Sequence, residues 1–417
     1  MSEVKLQCKL ARNYTMEGID KALAYLLVKV VPDQAIGMGR LPLNVALVLD
    51  VSGSMHGEKL ACAKEAAYLV VETLSRDDWL SLIVFNKRAK VLIPRRRVDD
   101  KNAFFSQIKA MNADDGTHMY TGMSAAIAEV GPATPATVNR IILFTDGQTE
   151  GEEECLSQAR HAAQGGLVTS TFGIGDDYNE ELLGEISRVT LGSAYAVQHP
   201  AQIKELFMKE VADATAVGIT NSSLTINLAK GVSLEELDRI VPSIAKLDPR
   251  VVDERMFATD VGGLGKNEST CFGGKLALPA RASGQVRIAQ VTLRYDVPSL
   301  QVKEKTEKCD VIVEYTKDRD LCGKVDREVM GYFDQLAAQS LIEEAAKAAQ
   351  AGNAPAATQK LSEAKALTQR IGNVAMTQHL DQAIDELQKQ GSMSSGAQKT
   401  IRLGSAHTVR LKETPQS

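Results

Sequence analysis

Residues 44–54 read NVALVLDVSGS, and their first half decides what kind of sheet this chain builds. Residues 45–49 are apolar without a break, the composition of a strand buried on both faces. The second half, Asp50-Val51-Ser52-Gly53-Ser54, alternates a carboxylate with two hydroxyls and holds a glycine that lets the backbone turn. Alternate residues of an extended segment point the same way, so Asp50, Ser52 and Ser54 converge just past the strand's C-terminal end. In an open α/β sheet that edge is where ligands bind. The donors are all oxygens, with no His or Cys, which selects a hard cation such as Mg²⁺ over zinc.

Outward from this stretch, strands and helices alternate. A helix is expected from Glu58, with Leu60, Ala63, Ala67, Val70, Val71 and Leu74 on one face. Strands over 79–85 and 89–93 are linked only by Asn86-Lys87-Arg88, so they form a hairpin and one edge strand runs antiparallel. A helix near 102–111 leads to Asp115-Gly116-Thr117 and, past Gly122, to a helix over 123–130. A strand over 140–145 ends in Asp146-Gly147. A helix over 152–164, a strand over 167–174, capping-box spacing at 177–180, a strand over 194–197 and a helix over 201–214 follow. This pattern predicts a doubly wound, mostly parallel α/β domain over residues 41–215.

The flanks differ. VKLQCKL and ALAYLLVKVV within residues 1–40 alternate apolar with polar positions, as do VGITNSSLTINL, SGQVRIAQVTLRYDV and CDVIVEYT within 216–321. The N-terminal strands alone cannot bury a core. The two flanks therefore read as halves of one antiparallel β-sandwich, with the α/β domain inserted between them. Residues 322–391 read as helical, with stops at Gly352-Asn353 and Gly372-Asn373. Residues 392–417 read as a flexible tail that does not fold alone. The tail has an echo: KTIRLG at 399–404 matches HTVRLK at 407–412 in a Thr–aliphatic–Arg–Leu core.

Composition narrows the function. The 417 residues carry a formal net charge of −5 and only 5% aromatics, so neither general affinity for nucleic acid nor base-stacking platforms are expected. No signal-peptide pattern opens the sequence and no apolar run is long enough to span a bilayer, so the default expectation is a cytoplasmic protein. Its six scattered cysteines form no CxxC pair, which argues against a disulfide frame or a zinc site.

The Asp-x-Ser-Gly-Ser loop, the Gly116-Thr117 loop and Phe144-Thr145-Asp146-Gly147 occur in order, each at a strand end. Together they resemble the metal-ion-dependent adhesion site of von Willebrand factor type A (VWA) domains, in a chain of bacterial style. The resemblance covers about 41–215. It implies a site of Asp50, Ser52, Ser54, Thr117 and Asp146 holding Mg²⁺ or Mn²⁺, with Ca²⁺ a poorer fit. It also implies a partner protein whose Asp or Glu completes the ion's coordination. Neutral hydroxyls leave such a cation under-neutralised, so it attracts an outside carboxylate. One by one, Asp50 and Asp146 also suit helix N-caps, and Ser54 and Thr117 suit turns.

Other residues and functions are weaker candidates. His56 reads as a solvated loop residue, Asp176-Asp177 as a helix cap, Asp114-Asp115 as a turn and Arg95-Arg96-Arg97 as a charged edge guard. Gly262 to Lys266 fails as a phosphate loop, because Asp260 stands at its first glycine position and Asn267 at its Ser/Thr position. An apolar strand ending in aspartate also resembles the opening of haloacid-dehalogenase-like, Mg²⁺-dependent phosphohydrolases, and that resemblance implies a second carboxylate two residues on, where this chain has Ser52. The expectation is therefore a binding module and not an enzyme, with an accessory subunit of an AAA+ ATPase as a further alternative. Thr400 and Thr408 each precede a leucine by three residues, which resembles what a forkhead-associated (FHA) domain reads once a kinase has phosphorylated the threonine.

Overall fold

The computed structural model describes residues 3–33, 36, 40–132, 136–175, 177–197 and 200–411. Asp176 and Lys412, named above, lie outside the described residues. The chain forms two compact units: Arg40–Val217 with Gln398–Gly404, and a second built from Met1–Gly39, Gly218–Ala397 and Ser405–Ser417.

In chain order, β1 (Val4–Leu10), β2 (Tyr14–Met16) and β3 (Ala22–Pro32) precede the α/β unit. That unit contains β4 (Leu43–Asp50), α1 (Glu58–Thr73), β5 (Trp79–Phe85), β6 (Ala89–Arg97), α2 (Lys101–Ala110), α3 (Met119–Val130), β7 (Val138–Thr145) and α4 (Glu152–Gln164). It continues with β8 (Val168–Ile174), α5 (Glu180–Val189), β9 (Ala194–Val197) and α6 (Pro200–Thr215). Its sheet runs β6-β5-β4-β7-β8-β9, parallel throughout except for the antiparallel edge pair β5–β6.

All eight residues of β4 are buried, as a central strand covered on both faces requires. Its period-2 alternation feeds two cores. Val45, Leu47 and Leu49 join the layer packed with Leu60, Val70, Phe104 and Phe207. Ala46 and Val48 join the opposite layer with Met123, Cys155, Leu183 and Ile186. Local chemistry sets the helix starts: Asp100 Oδ1 accepts from Asn102 N and Ala103 N at α2, and Asn179 Oδ1 accepts from Glu181 N and Leu182 N at α5. The cap of α5 is thus Asn179, two residues beyond Asp177.

The second unit continues from β10 (Val217–Leu228) through β11 (Ser233–Val241), β12 (Ala245–Lys246), β13 (Arg250–Asp253), β14 (Met256–Gly265) and β15 (Thr270–Leu278). It adds β16 (Gly284–Val297), β17 (Val302–Thr316), α7 (Arg319–Cys322), α8 (Arg327–Gln350), α9 (Ala354–Ile371) and α10 (Val374–Gln390). One sheet is ordered β1-β3-β15-β11-β12, the other β13-β14-β10-β16-β17-β2. Each mixes strands from before and after the α/β stretch: β3 pairs antiparallel with β15, and β2 pairs parallel with β17. The parallel pair is a departure from the antiparallel pattern read in the sequence.

α8 lies on the first of these sheets, where Val329 and Tyr332 pack with Leu27, Ile240 and Cys271. Glu328, buried, receives Lys9 Nζ at 2.5 Å and Lys29 Nζ at 3.1 Å. Asn353 and Asn373 cap α9 and α10, and Gly372 and Gly391 end them in the left-handed conformation.

The tail departs from its reading as flexible. Ser395–Ser405 is helix α11. Its residues Gln398–Gly404 belong to the α/β unit, where Leu403 joins the Leu182–Leu183–Ile186 layer beside Gly184. Lys399 Nζ donates to Tyr178 O at 2.6 Å and lies 4.2 Å from the Tyr178 ring centroid, while Arg402 pairs with Glu180 at 2.9 Å. Glycines and serines make this segment a poor helix in isolation, and burial of Ile401 and Leu403 supplies the missing stabilisation.

Candidate metal centre

β4 delivers Asp50 to the sheet edge, and Val51 N donates to Phe85 O, so the next residues leave the sheet in a fixed direction. A 3-10 turn, Gly53–Met55, then folds the loop over. Ser52 N donates to Asp50 Oδ1 at 2.8 Å, Ser52 Oγ and Ser54 Oγ lie 3.0 Å apart, and Ser54 Oγ donates to Asp146 Oδ1 at 2.8 Å. Thr145 Oγ1 donates to Asp50 Oδ2 at 2.6 Å. Asp50, Ser52, Ser54 and Asp146 thus form one hydrogen-bonded network spanning two strand ends. It is graded in depth: Asp50 and Asp146 are fully buried, Ser52 nearly so, and Ser54 is exposed.

The Thr117 loop reaches both others. Asp114 N donates to Val51 O at 2.7 Å, and a Cβ on Gly53 would stand 3.1 Å from Asp115 Oδ1. Thr117 O accepts from Thr149 Oγ1 at 3.0 Å and Glu150 N at 3.1 Å. Thr117 is half-buried and joins the assembly through its carbonyl, not through a hydroxyl bond to the other four. Gly122 lets α3 lie against the sheet, since a Cβ there would come within 2.8 Å of the Phe85 ring and 3.0 Å of Val48.

Sequence reasoning passed over two contributors. Thr145 stands in the third loop's Phe144-Thr145-Asp146-Gly147 run with no role of its own, although a residue flanking that aspartate is the natural place to look for a carboxylate's donor. Lys59 sits in the first turn of α1, and its Nζ lies 2.7 Å from Asp146 Oδ2 and 3.3 Å from Asp177 Oδ2.

Burial pushes Asp50 above its ordinary 3.8 to about 6; hydrogen bonds from Thr145 and Ser52 oppose the shift and the Asp146 charge adds to it. Two buried carboxylates answered by one partly exposed ammonium make a negative, oxygen-lined site. Among the described residues no three His, Cys, Asp or Glu side chains gather at one point. The donors on hand are therefore two carboxylates and neutral hydroxyls, a set that fits a hard divalent cation and not a thiolate or imidazole metal.

A pH dependence follows. The folded state binds the Asp50 proton more tightly than the unfolded chain, so this group's contribution to stability is largest below about pH 4. It declines as pH rises through about 6, by on the order of 3 kcal/mol in all. In chelator, the stability of the wild type relative to D50N should fall over that window. Mn²⁺ affinity should move the other way, rising with pH up to about 6. Urea melts and Mn²⁺ titrations of both proteins from pH 4 to 8 check it, and a flat difference would contradict the assignment.

The remaining candidates separate cleanly. His56 is exposed. Arg95 and Arg97 stack on Trp79 at 4.7 and 4.5 Å on the edge strand β6. Gly262 to Gly265 lie within β14, a strand and not a phosphate loop. Thr400 is half-buried on α11, and Thr408 Oγ1 donates to Ile240 O at 2.8 Å and Pro242 O at 3.2 Å.

Comparison with known proteins bears on the fold. Residues 44–209 match the family model of the von Willebrand factor type A domain, and residues 327–410 match that of the Sll0103-like, C-terminal alpha-helical domain. Neither is a catalytic family. The uncharacterised protein sll0103 of Synechocystis sp. is 32% identical over 268 residues, covering 62% of this chain and 63% of that protein. The human inter-alpha-trypsin inhibitor heavy chain H3 is 25% identical over 260 residues, 57% of this chain and 28% of that one. The chain thus spans less than two thirds of the length of these curated relatives. Among solved structures, a von Willebrand factor type A protein from Catenulispora acidiphila superposes with a TM-score of 0.84 at 19% identity over 98% of this chain and 97% of that one. The ArnB paralog VWA2 from Sulfolobus acidocaldarius gives 0.64 at 18% identity over 98% and 100%. At such identities these two likenesses concern the fold.

Proposed function

We propose, from the premise that residues 44–209 are a VWA domain, that this protein is an interaction module whose three loops hold Mg²⁺ or Mn²⁺ and capture an acidic residue of a partner protein. The observation that carries the reading is the graded network: buried Asp50 and Asp146 behind nearly buried Ser52, with exposed Ser54 at its outer end. Asp50 and Asp146 hold negative charge under the site, Ser52 and Ser54 offer neutral oxygens, and the Thr117 loop closes one side. When bound, the ion supplies an electrophilic position that a carboxylate can fill. Neutral hydroxyls leave that position attractive to an outside anion, where a third carboxylate would have quenched it.

Ser52 stands where phosphohydrolase chemistry would need its second carboxylate, and no observation favours that reading or an ATPase accessory role. Among the described residues no helix is long and apolar enough to cross a membrane. A cytoplasmic setting is the accompanying proposal, supported by six free thiols. Phosphorylation of Thr400 or Thr408 for an FHA-type reader is a second proposal, and it requires the segment to leave the contacts just described.

The test is capture by the immobilised full chain from lysate in Mg²⁺ and in chelator, with mass spectrometry of the eluates. Proteins retained only with Mg²⁺, and released by free glutamate-rich peptide, are the expected result. Identical eluates would remove the support for metal-dependent adhesion.

A further inference from the structure

Lys59 is in an unfavourable place for a lysine. The first turn of a helix carries the positive end of the helix dipole, where an ammonium is repelled. Its position needs compensation, and two carboxylates provide it: Asp146 Oδ2 at 2.7 Å and Asp177 Oδ2 at 3.3 Å. They differ in kind. Asp146 is fully buried and its other oxygen already accepts from Ser54, whereas the Asp177 side chain is 77% exposed.

The loop that carries Asp177 is held from both sides. Gln148 Nε2 donates to Asp177 O at 3.0 Å, and Lys399 Nζ donates to Tyr178 O at 2.6 Å. Its backbone held in this way, Asp177 keeps its carboxylate within reach of Lys59. Lys59, about a third exposed on a four-carbon stem, has room to favour either partner.

We propose that Lys59 is the internal counter-ion of the metal site: it competes with the divalent ion for Asp146, and Asp177 is the seat to which it retires when the ion binds. This rests on the metal reading above and adds its regulation. Two cations drawing on one buried carboxylate weaken each other. Lys59 therefore sets the affinity below what the donor set alone would give, and it keeps the ion exchangeable. It also keeps Asp146 answered by a positive charge whenever the ion leaves.

The experiment is Mn²⁺ titration of the full chain at low ionic strength, followed by the electron paramagnetic resonance of free Mn²⁺, with Mg²⁺ competition. K59M should bind Mn²⁺ about tenfold tighter than wild type, and the gain should shrink in 0.5 M salt as charge effects are screened. K59R, which keeps the charge, should stay within about threefold of wild type. D177N removes the alternative seat and should weaken binding by about threefold, yet have no effect in the K59M background. Equal or weaker binding by K59M overturns the proposal, as does a D177N effect that persists without Lys59. A wild type that takes up no Mn²⁺ overturns the metal reading itself, and the proposal with it. Melting curves in chelator show that each variant is folded.

Discussion

D50A should lose metal binding by about 100-fold or more while remaining folded. Loss of a supporting carboxylate typically costs 10–100-fold in metal affinity, and here it also removes one of the two buried carboxylates that the described residues place under the site. The stability side has an unusual sign. Asp50 is fully buried and its carboxyl is pushed up to about 6, so in the absence of metal its charge at neutral pH works against folding. Removing it strands Thr145 Oγ1 and Ser52 N, which cost roughly 1–3 kcal/mol each when left unsatisfied. The two effects oppose each other. In chelator the D50A melting point should lie within a few degrees of wild type; in Mg²⁺ only the wild type should rise, because a ligand that binds the folded state alone stabilises it. Mn²⁺ titration and paired melts decide it. D50A binding within about threefold of wild type would show that the carboxylate does not serve the ion.

E328A should strongly destabilise the second unit. Glu328 joins α8 to β1 and β3, and its partner Lys29 is only 6% exposed. Removing one member of a buried ion pair costs about 3–5 kcal/mol, because the other charge loses that partner in a poorly solvated place. Removing both is much gentler: K29M with E328L should recover most of that loss, since a well-packed apolar pair often equals or exceeds a buried salt bridge. Urea midpoints of the two proteins provide the comparison. If the double substitution were as damaging as E328A, the loss would come from shape and not from the broken ion pair.

The legible parts of this chain were those written locally. Val45 to Leu49 announce a strand covered on both faces, and period 2 announces that Asp50, Ser52 and Ser54 come together past its end. Asp146 is visible through the resemblance carried by three loops in order, at the end of β7. The short link 86–88 likewise betrays the antiparallel edge. What stayed hidden depends on residues distant in the chain. Nothing around SGAQKTIRLGS states that Lys399 will meet Tyr178 or that Arg402 will meet Glu180, more than two hundred positions earlier. Gly396 and Gly404 argue locally for flexibility, and tertiary burial overrides them. Lys59 was hidden differently. A first-turn lysine looks like an ordinary surface charge until the third loop and the Asp177 loop are placed beside it.

Helix α11 has a consequence for how the protein is made. The α/β unit is encoded between Arg40 and Val217, but the layer containing Leu182, Leu183 and Ile186 receives Leu403 only after the intervening sequence has been translated. At ~5–20 residues per second that delay is roughly 10–40 s on the ribosome. A nascent chain halted before Gln398 therefore carries this domain with a greasy face uncovered, the kind of surface that chaperones and proteases recognise. Helix α11 thus works as a late seal: only a polypeptide translated past Leu403 can hide that face.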